Sequence, residues 1–112
     1  MIKILVEYRN DDISRVTAKG HAGYAKYGKD VVCSAVSAII QTALIAIIDI
    51  SDAPVRYEKS DDGFLHFEVP EPKSEEERIK QQAVLRAMVL GVSDVEKGYK
   101  PYVKMEVNRQ CL

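Results

Sequence analysis

Apolar and polar residues alternate along the first nine positions of the chain, which is the pattern of a strand with one buried face. A second strand-like run follows at about Ile13 to Gly20. The turn residues Asn10-Asp11-Asp12 lie between the two runs and predict a hairpin. The first strand is expected to bury the side chains of Ile2, Ile4, Val6 and Tyr8.

Two longer segments have the pattern of helices. The first begins after Asp30, a good N-cap, and continues to about Ile50 with apolar residues on nearly every side. Such a helix packs one face on a sheet, and a second helix or a partner subunit covers the other. The second helix begins at the capping box Ser74–Glu77 and ends near Lys97, where Gly98 stops it. Its predicted apolar stripe comprises Ile79, Ala83, Val84, Ala87, Met88 and either Leu90 or Gly91.

Three further strands complete the predicted fold. Val55 to Lys59 and Phe64 to Val69 are strand patterns joined by an Asp62-Gly63 step, which is a strong hairpin signal. The alternation of Val103, Met105 and Val107 predicts the last strand. The order β-β-α-β-β-α-β favours an α+β two-layer sandwich, in which two helices cover one face of a mostly antiparallel five-stranded sheet. Spacing alone leaves the order of the strands open.

The composition is that of an ordinary globular domain. With 112 residues, of which 46% are apolar, the chain can bury one modest core, so a single domain over residues 1–112 is predicted. The 16 basic and 17 acidic residues give a net charge of −1, and no basic block stands out. Direct nucleic-acid binding is therefore not expected.

The apolar run from Val31 to Ile48 raises the question of a membrane span. The run is interrupted by polar residues, is short for a bilayer and lacks flanking Lys/Arg asymmetry, so we interpret it as a core helix and expect no membrane association. The chain opens directly on a strand pattern, without a leader-like segment, which favours a cytoplasmic location. In that compartment Cys33 and Cys111 are expected to be free thiols.

The segment from Gly20 to Cys33 carries the candidate chemistry. It ends a strand on His21, crosses a loop that contains Gly23 and Gly28, and places Cys33 in the first turn of the first helix. A cysteine is a poor nucleophile until it loses its proton, and a helix N-terminus and a nearby imidazole both favour that loss. Because the helix dipole contributes only roughly 0.3–1 kcal/mol, His21 has to come close to Cys33.

Both residues also have ordinary structural interpretations. His21 can be a polar loop residue at a strand end, and Cys33 a small buried hydrophobe on an apolar helix. Together with His66 and Cys111 they are the possible zinc ligands, but their spacing matches no ligand-pair pattern. We therefore expect no metal and no cofactor.

The ribosomal-processing cysteine protease family, often abbreviated Prp, has a signature that this chain resembles in three stretches. They are Gly20-His21-Ala22-Gly23-Tyr24, then Gly28, and then Asp30-Val31-Val32-Cys33-Ser34-Ala35-Val36-Ser37. The likeness is dense over residues 20 to 37 and extends weakly over the whole chain through its length and element order. It implies that His21 and Cys33 form the catalytic pair.

The resemblance also implies an activity. Members of this family are small homodimeric cysteine endopeptidases of bacteria. Their substrate is the precursor of the large-subunit ribosomal protein L twenty-seven, from which they remove a short N-terminal extension that ends in bulky apolar residues. A cysteine-based redox sensor and a non-catalytic ribosome-associated binding module remain as alternatives, although the chain has no Cys-x-x-Cys motif.

Several neighbours are candidates for supporting roles. Asp30 either only caps the helix or also orients His21. Ser37 lies four residues after Cys33 on the same helical face, and its hydroxyl either assists the site or bonds back to the helix carbonyl. The backbone N–H groups of Cys33 and Ser34 are the candidate donors to the oxyanion.

Residues 22 to 29 form the predicted substrate loop. The resemblance implies that this loop moves when substrate binds, and Gly23 and Gly28 permit backbone conformations that other residues resist. Tyr24 and Tyr27 lie between the two glycines and either close over the substrate or pack within the loop.

Overall fold

The computed structural model describes residues 1–23, 25–26 and 30–110, and its helices and strands follow the predicted order. The bounds of the strands are Ile2–Arg9 (β1), Asp12–Lys19 (β2), Tyr57–Ser60 (β3), Phe64–Glu68 (β4) and Val103–Gln110 (β5). The helices are Val31–Ile50 (α1) and Glu75–Gly98 (α2).

The five strands form one mixed sheet in the order β3-β4-β2-β1-β5. β1 pairs with β2, β2 with β4, and β3 with β4, each pair antiparallel, whereas β5 lies parallel to β1. The expected α+β sandwich with a mostly antiparallel sheet is therefore confirmed. The β2–β4 pairing places Lys19 opposite Phe64, so the end of β2 lies beside the turn that joins β3 to β4.

One hydrophobic core joins the sheet to both helices. The alternation predicted for β1 is confirmed for Ile2, Ile4 and Val6, which are buried, whereas Tyr8, which follows an irregularity in the β1–β2 pairing, is only half-buried. Burial of each large apolar side chain contributes about 1.5–3 kcal/mol to folding. α1 adds six core residues at helical spacing, namely Val32, Val36, Ile40, Ala43, Leu44 and Ile47.

α1 is the one helix in the described part of the chain whose length and composition would suffice to cross a membrane. Its six buried residues belong to the hydrophobic core, which agrees with the interpretation of α1 as a core helix. Its outer face keeps exposed apolar side chains, among them Val31, Ile45 and Ile48.

The stripe predicted for α2 was largely wrong. Of the predicted residues only Met88 is fully buried, and Ile79 and Leu90 are exposed. The buried face instead comprises Gln81, Leu85, Met88 and Val92. The prediction failed because apolar residues occur on several sides of α2, and the side it chose is mostly exposed, whereas the buried side includes one polar residue, Gln81. Gln81 enters the core because its side-chain Nε2 donates to the Ser51 hydroxyl at 3.0 Å and to the Pro70 carbonyl at 3.3 Å.

β3 is shorter than predicted. It begins at Tyr57 rather than Val55, and all four of its residues are exposed. Val55 instead packs against the core before the strand begins. α2 also continues through Gly98, one residue beyond the predicted stop, and Tyr99 is its C-cap.

Candidate active site

His21 owes its place at the end of β2 to the glycine before it. Gly20 has a φ of +92°, in the left-handed region that favours glycine, and a Cβ there would lie 2.6 Å from the Met1 carbonyl oxygen. The Gly20 N–H donates to the Gly63 carbonyl at 2.8 Å. This hydrogen bond fixes the chain against the β3–β4 turn immediately before His21.

Cys33 lies in the first turn of α1, facing His21. The Cys33 Sγ and the His21 Nδ1 are 4.0 Å apart. The imidazole is exposed, and Cys33 is half-buried. The hydrogen bond of a catalytic pair is commonly long without substrate and shortens when substrate binds. The structure thus brings together the two residues that the sequence singles out, across the predicted substrate loop.

Asp30 is a buried N-cap. Its Oδ1 accepts a hydrogen bond from the Cys33 backbone N–H at 3.0 Å, and its Oδ2 accepts from the Ala25 N–H at 3.4 Å. The capping interpretation is therefore confirmed, and the same carboxylate also attaches the loop to the helix. A role for Asp30 in orienting His21 stays a prediction.

The geometry does not support the candidate oxyanion donors. The Cys33 N–H already donates to the Asp30 carboxylate. The Ser34 N–H donates to the Asp30 backbone carbonyl at 3.0 Å, which is the first hydrogen bond of the helix. Both donors thus already take part in hydrogen bonds of the first turn of α1.

A cavity of about 620 Å³ opens beside the thiol and the imidazole. This cavity, hereafter the cleft, lies between the first half of α1 and the β3–β4 hairpin, and its size is typical of ligand sites. Its polar rim includes Gln41, Lys59 and Asp61, and the Lys59 ammonium donates to the Gln41 Oε1 at 2.9 Å. Its apolar lining comprises Ile2, Ala18, Val36, Ile40, Phe64 and Leu65.

The other predicted site residues are placed as follows. Ser34 and Ser37 both line the cleft, one and four residues after Cys33. The role of the Ser37 hydroxyl stays a prediction. Gly23, with a φ of +74°, lines the cleft as well. The remaining predicted loop residues, Tyr24, Tyr27 and Gly28, lie outside the described residues, as does Cys111.

No group of three or more His, Cys, Asp or Glu side chains in the described ranges could hold a metal ion. His66, the other histidine, is half-buried on β4, and its Nδ1 forms a hydrogen bond with the Thr17 hydroxyl at 2.8 Å.

The sequence did not identify Gly63 as a neighbour of His21. The Asp62-Gly63 step predicts a hairpin turn, but only the register between β2 and β4 places that turn beside the imidazole. Lys59 and Gln41 were missed for the same reason, since they meet only once β3 and α1 have packed.

Comparisons with known proteins identify the family of the chain. The sequence model of the family described as cysteine protease Prp matches residues 1–104. The ribosomal processing cysteine protease Prp of Bacillus subtilis is 32% identical over 90 residues, which cover 80% of each chain. The protein of the same name from Staphylococcus aureus is 26% identical over 99 residues, covering 86% of this chain and 90% of its own.

A solved structure has the same fold. It is the ribosomal processing protease Prp of Staphylococcus aureus with a covalently linked product peptide, and it matches with a TM-score of 0.81 and 24% identity. The match covers 98% of this chain and 100% of that one. On the family match over residues 1–104 and the relative at 32% identity, the chain belongs to the cysteine protease Prp family.

Proposed function

We propose that the chain is the cysteine endopeptidase that removes the N-terminal extension from the precursor of ribosomal protein L twenty-seven and so supports ribosome assembly. The observation that carries this proposal is the 4.0 Å approach of the Cys33 Sγ to the His21 Nδ1 in the wall of the cleft. The relatives from Bacillus subtilis and Staphylococcus aureus are both named ribosomal processing cysteine proteases.

The proposed mechanism uses only these two side chains for covalent chemistry. The Cys33 thiolate attacks the scissile carbonyl carbon, and the proton on His21 goes to the leaving amine as the C–N bond breaks. Water, deprotonated by His21, then attacks the thioester and releases the acid product and the thiolate. His21 is neutral after the first step, and the proton that it takes from water restores the starting thiolate–imidazolium pair.

The cleft suits the end of the expected extension. Its lining includes the apolar side chains of Val36, Ile40 and Phe64, so it can bury bulky apolar side chains of a substrate. Lys59 and Asp61 lie at the rim, where they can meet the polar backbone of an extended peptide. This division favours recognition of apolar side chains near the scissile bond.

We place the enzyme in the cytoplasm and expect no direct contact with nucleic acid. Cys33 is a free thiol, and a reducing compartment keeps it so. The near-balanced charge of the chain supports a protein substrate rather than a nucleic-acid partner.

We also propose a homodimer. Ile45, Ile48 and Leu90 are large apolar side chains with exposed fractions of 66, 46 and 62%, and the first two lie one turn apart on α1. Light scattering after size exclusion should give twice the mass of the chain, and Ile45→Glu should shift the mass toward the monomer. Lys100→Glu, at an exposed turn position, is the matched control. A monomeric wild type at micromolar concentration would contradict the dimer.

Peptide cleavage tests the enzymatic proposal directly. A peptide that spans the extension and the first mature residues is incubated with the wild type, Cys33→Ala and His21→Ala, and the products are identified by mass spectrometry. We expect one cut with the wild type and none with Cys33→Ala. An intact peptide with the wild type, or an undiminished cut with Cys33→Ala, rejects the proposal.

A further inference from the structure

The imidazole of His21 lies between Cys33 and Gly63. Its Nδ1 faces the Cys33 Sγ, while the neighbouring Cε1–Nε2 edge of the ring lies against Gly63. A Cβ in ideal geometry on Gly63 would be 3.0 Å from both the Cε1 and the Nε2 of His21. Carbon atoms pack best at about 3.5–4.0 Å, so the ring occupies space that only a glycine leaves open.

The backbone around Gly63 restricts how this contact could relax. Gly63 has a φ of +81°, and its Cβ would also lie 2.8 Å from the Gly20 carbonyl oxygen. The Gly63 carbonyl in turn accepts the Gly20 N–H at 2.8 Å. Gly20 has little room to shift toward Met1, because even a Cβ on Gly20 would lie 2.6 Å from the Met1 carbonyl oxygen. The flexible member of this contact is the His21 side chain.

We propose that Gly63 is a positioning residue for the protease reaction, since it lets the β3–β4 turn fit behind the His21 ring and keeps that ring directed at Cys33. This inference rests on the proposed function of the pair. A side chain at position 63 displaces the ring while it leaves the thiol in place. Misplacement of a reacting group by about 1 Å costs about 10²-fold in rate, and this is the expected loss of kcat in Gly63→Ala.

The rate at which iodoacetamide alkylates Cys33 is measured across pH. This rate reports the effect of the His21 imidazole on the thiol and does not involve substrate binding. Mass spectrometry of the labelled peptide separates Cys33 from Cys111. We expect the pH profile of folded Gly63→Ala to match that of His21→Ala rather than that of the wild type. The matched control is Asn10→Ala, which leaves a non-glycine residue at a positive φ of 57° in the β1–β2 turn and should keep the wild-type profile and cleavage rate.

The outcomes are distinct. Folded Gly63→Ala with the alkylation profile and kcat of the wild type overturns the inference while the proposed function stands. His21→Ala with wild-type alkylation and cleavage overturns the proposed function, and the inference with it. If Gly63→Ala does not fold, the wild type decides by NMR: nuclear Overhauser contacts from the His21 Hε1 to the Gly63 Hα protons support the inference, and their absence overturns it.

Discussion

Cys33 and Asp30 share the capping hydrogen bond at the start of α1, in which the Cys33 backbone N–H donates to the Asp30 Oδ1 at 3.0 Å. The residue that carries the thiol is therefore also the residue whose amide is capped. Because the second oxygen of Asp30 accepts from Ala25, one buried carboxylate holds the loop, the start of the helix and the thiol together.

This arrangement predicts different effects for two substitutions of Asp30. Asp30→Ala removes the cap and should lower the free energy of unfolding by about 1 kcal/mol, with a clear loss of peptide cleavage. Asp30→Asn keeps the oxygen that caps Cys33 and loses only the long hydrogen bond from Ala25, so it should be less destabilising than Asp30→Ala and keep most of the cleavage rate. Urea unfolding and peptide cleavage measure the two effects.

The Asn variant also decides between the two roles of Asp30. If it is as stable as the wild type but cleaves as poorly as Asp30→Ala, the negative charge itself is required. Asp30 would then orient or stabilise His21 in addition to capping the helix.

Gln82 takes the place of a missing strand beside Ile13. β4 pairs with β2 only from Arg15 to Lys19, and beyond it the Gln82 side chain accepts from the Ile13 N–H at 2.8 Å and donates to the Ile13 carbonyl at 3.0 Å. Gln82→Ala leaves both backbone groups without this partner and should lower the free energy of unfolding by about 1–3 kcal/mol. Chemical denaturation measures the change.

Arg86→Ala is the control for Gln82, because it is an exposed helix position four residues further along α2. It should change the free energy of unfolding by less than about 0.5 kcal/mol. Equal effects of the two substitutions would show that the amide contributes nothing to the β2 strand.

Local patterns predicted the elements well apart from a residue or two at their ends, and the larger failures involve contacts between elements. The alternation around Ile4 and the Asp30 cap are properties of a few consecutive residues, so the sequence was sufficient for both. The burial of Gln81 depends on partners that are 30 and 11 residues away in the chain. The position of Gly63 behind His21 likewise depends on the register of β2 against β4, which no local pattern contains.

Arg78 links the start of α2 to the β1–β2 turn and makes stability depend on pH. Its guanidinium bonds Glu75 within the helix and the Asp12 carboxylate at 2.9 Å. The hydrogen bond from Arg78 holds the pKa of the Glu75 carboxyl below its usual value. The folded state therefore favours the charged carboxylate. The stabilisation of the fold by this ion pair is fully present above the ordinary pKa of glutamate, about 4.3, and is lost as the pH falls through the lowered pKa.

Arg78→Gln should therefore lower the melting temperature slightly at pH 7 and leave it unchanged near the acid end of the titration. The effect should also shrink in high salt, because the groups are partly or fully exposed. Lys80→Gln, which loses only an exposed pair with Glu76, is the control. A difference between Arg78→Gln and the wild type that grows toward acid pH would contradict the assigned sign.

Gly91 is the described helix glycine at which α2 packs closely against α1. A Cβ there would lie 3.4 Å from the Cδ1 and Cγ2 of Ile39, whereas a Cβ on Gly98 would meet nothing within 4 Å. Alanine is about 0.8–1 kcal/mol better than glycine inside a helix, so Gly91→Ala should raise the free energy of unfolding by about 0.5–1 kcal/mol. A larger side chain, as in Gly91→Leu, should instead lower the free energy of unfolding by about 1–3 kcal/mol through overpacking.

Gly98→Ala, at the end of α2, is the control, because it gives the helix-propensity effect without the contact to Ile39. If Gly91→Ala is destabilising while Gly98→Ala is not, the two helices cannot separate by the few tenths of an ångström that a methyl group needs, and the packing of α1 on α2 is tighter than this prediction assumes.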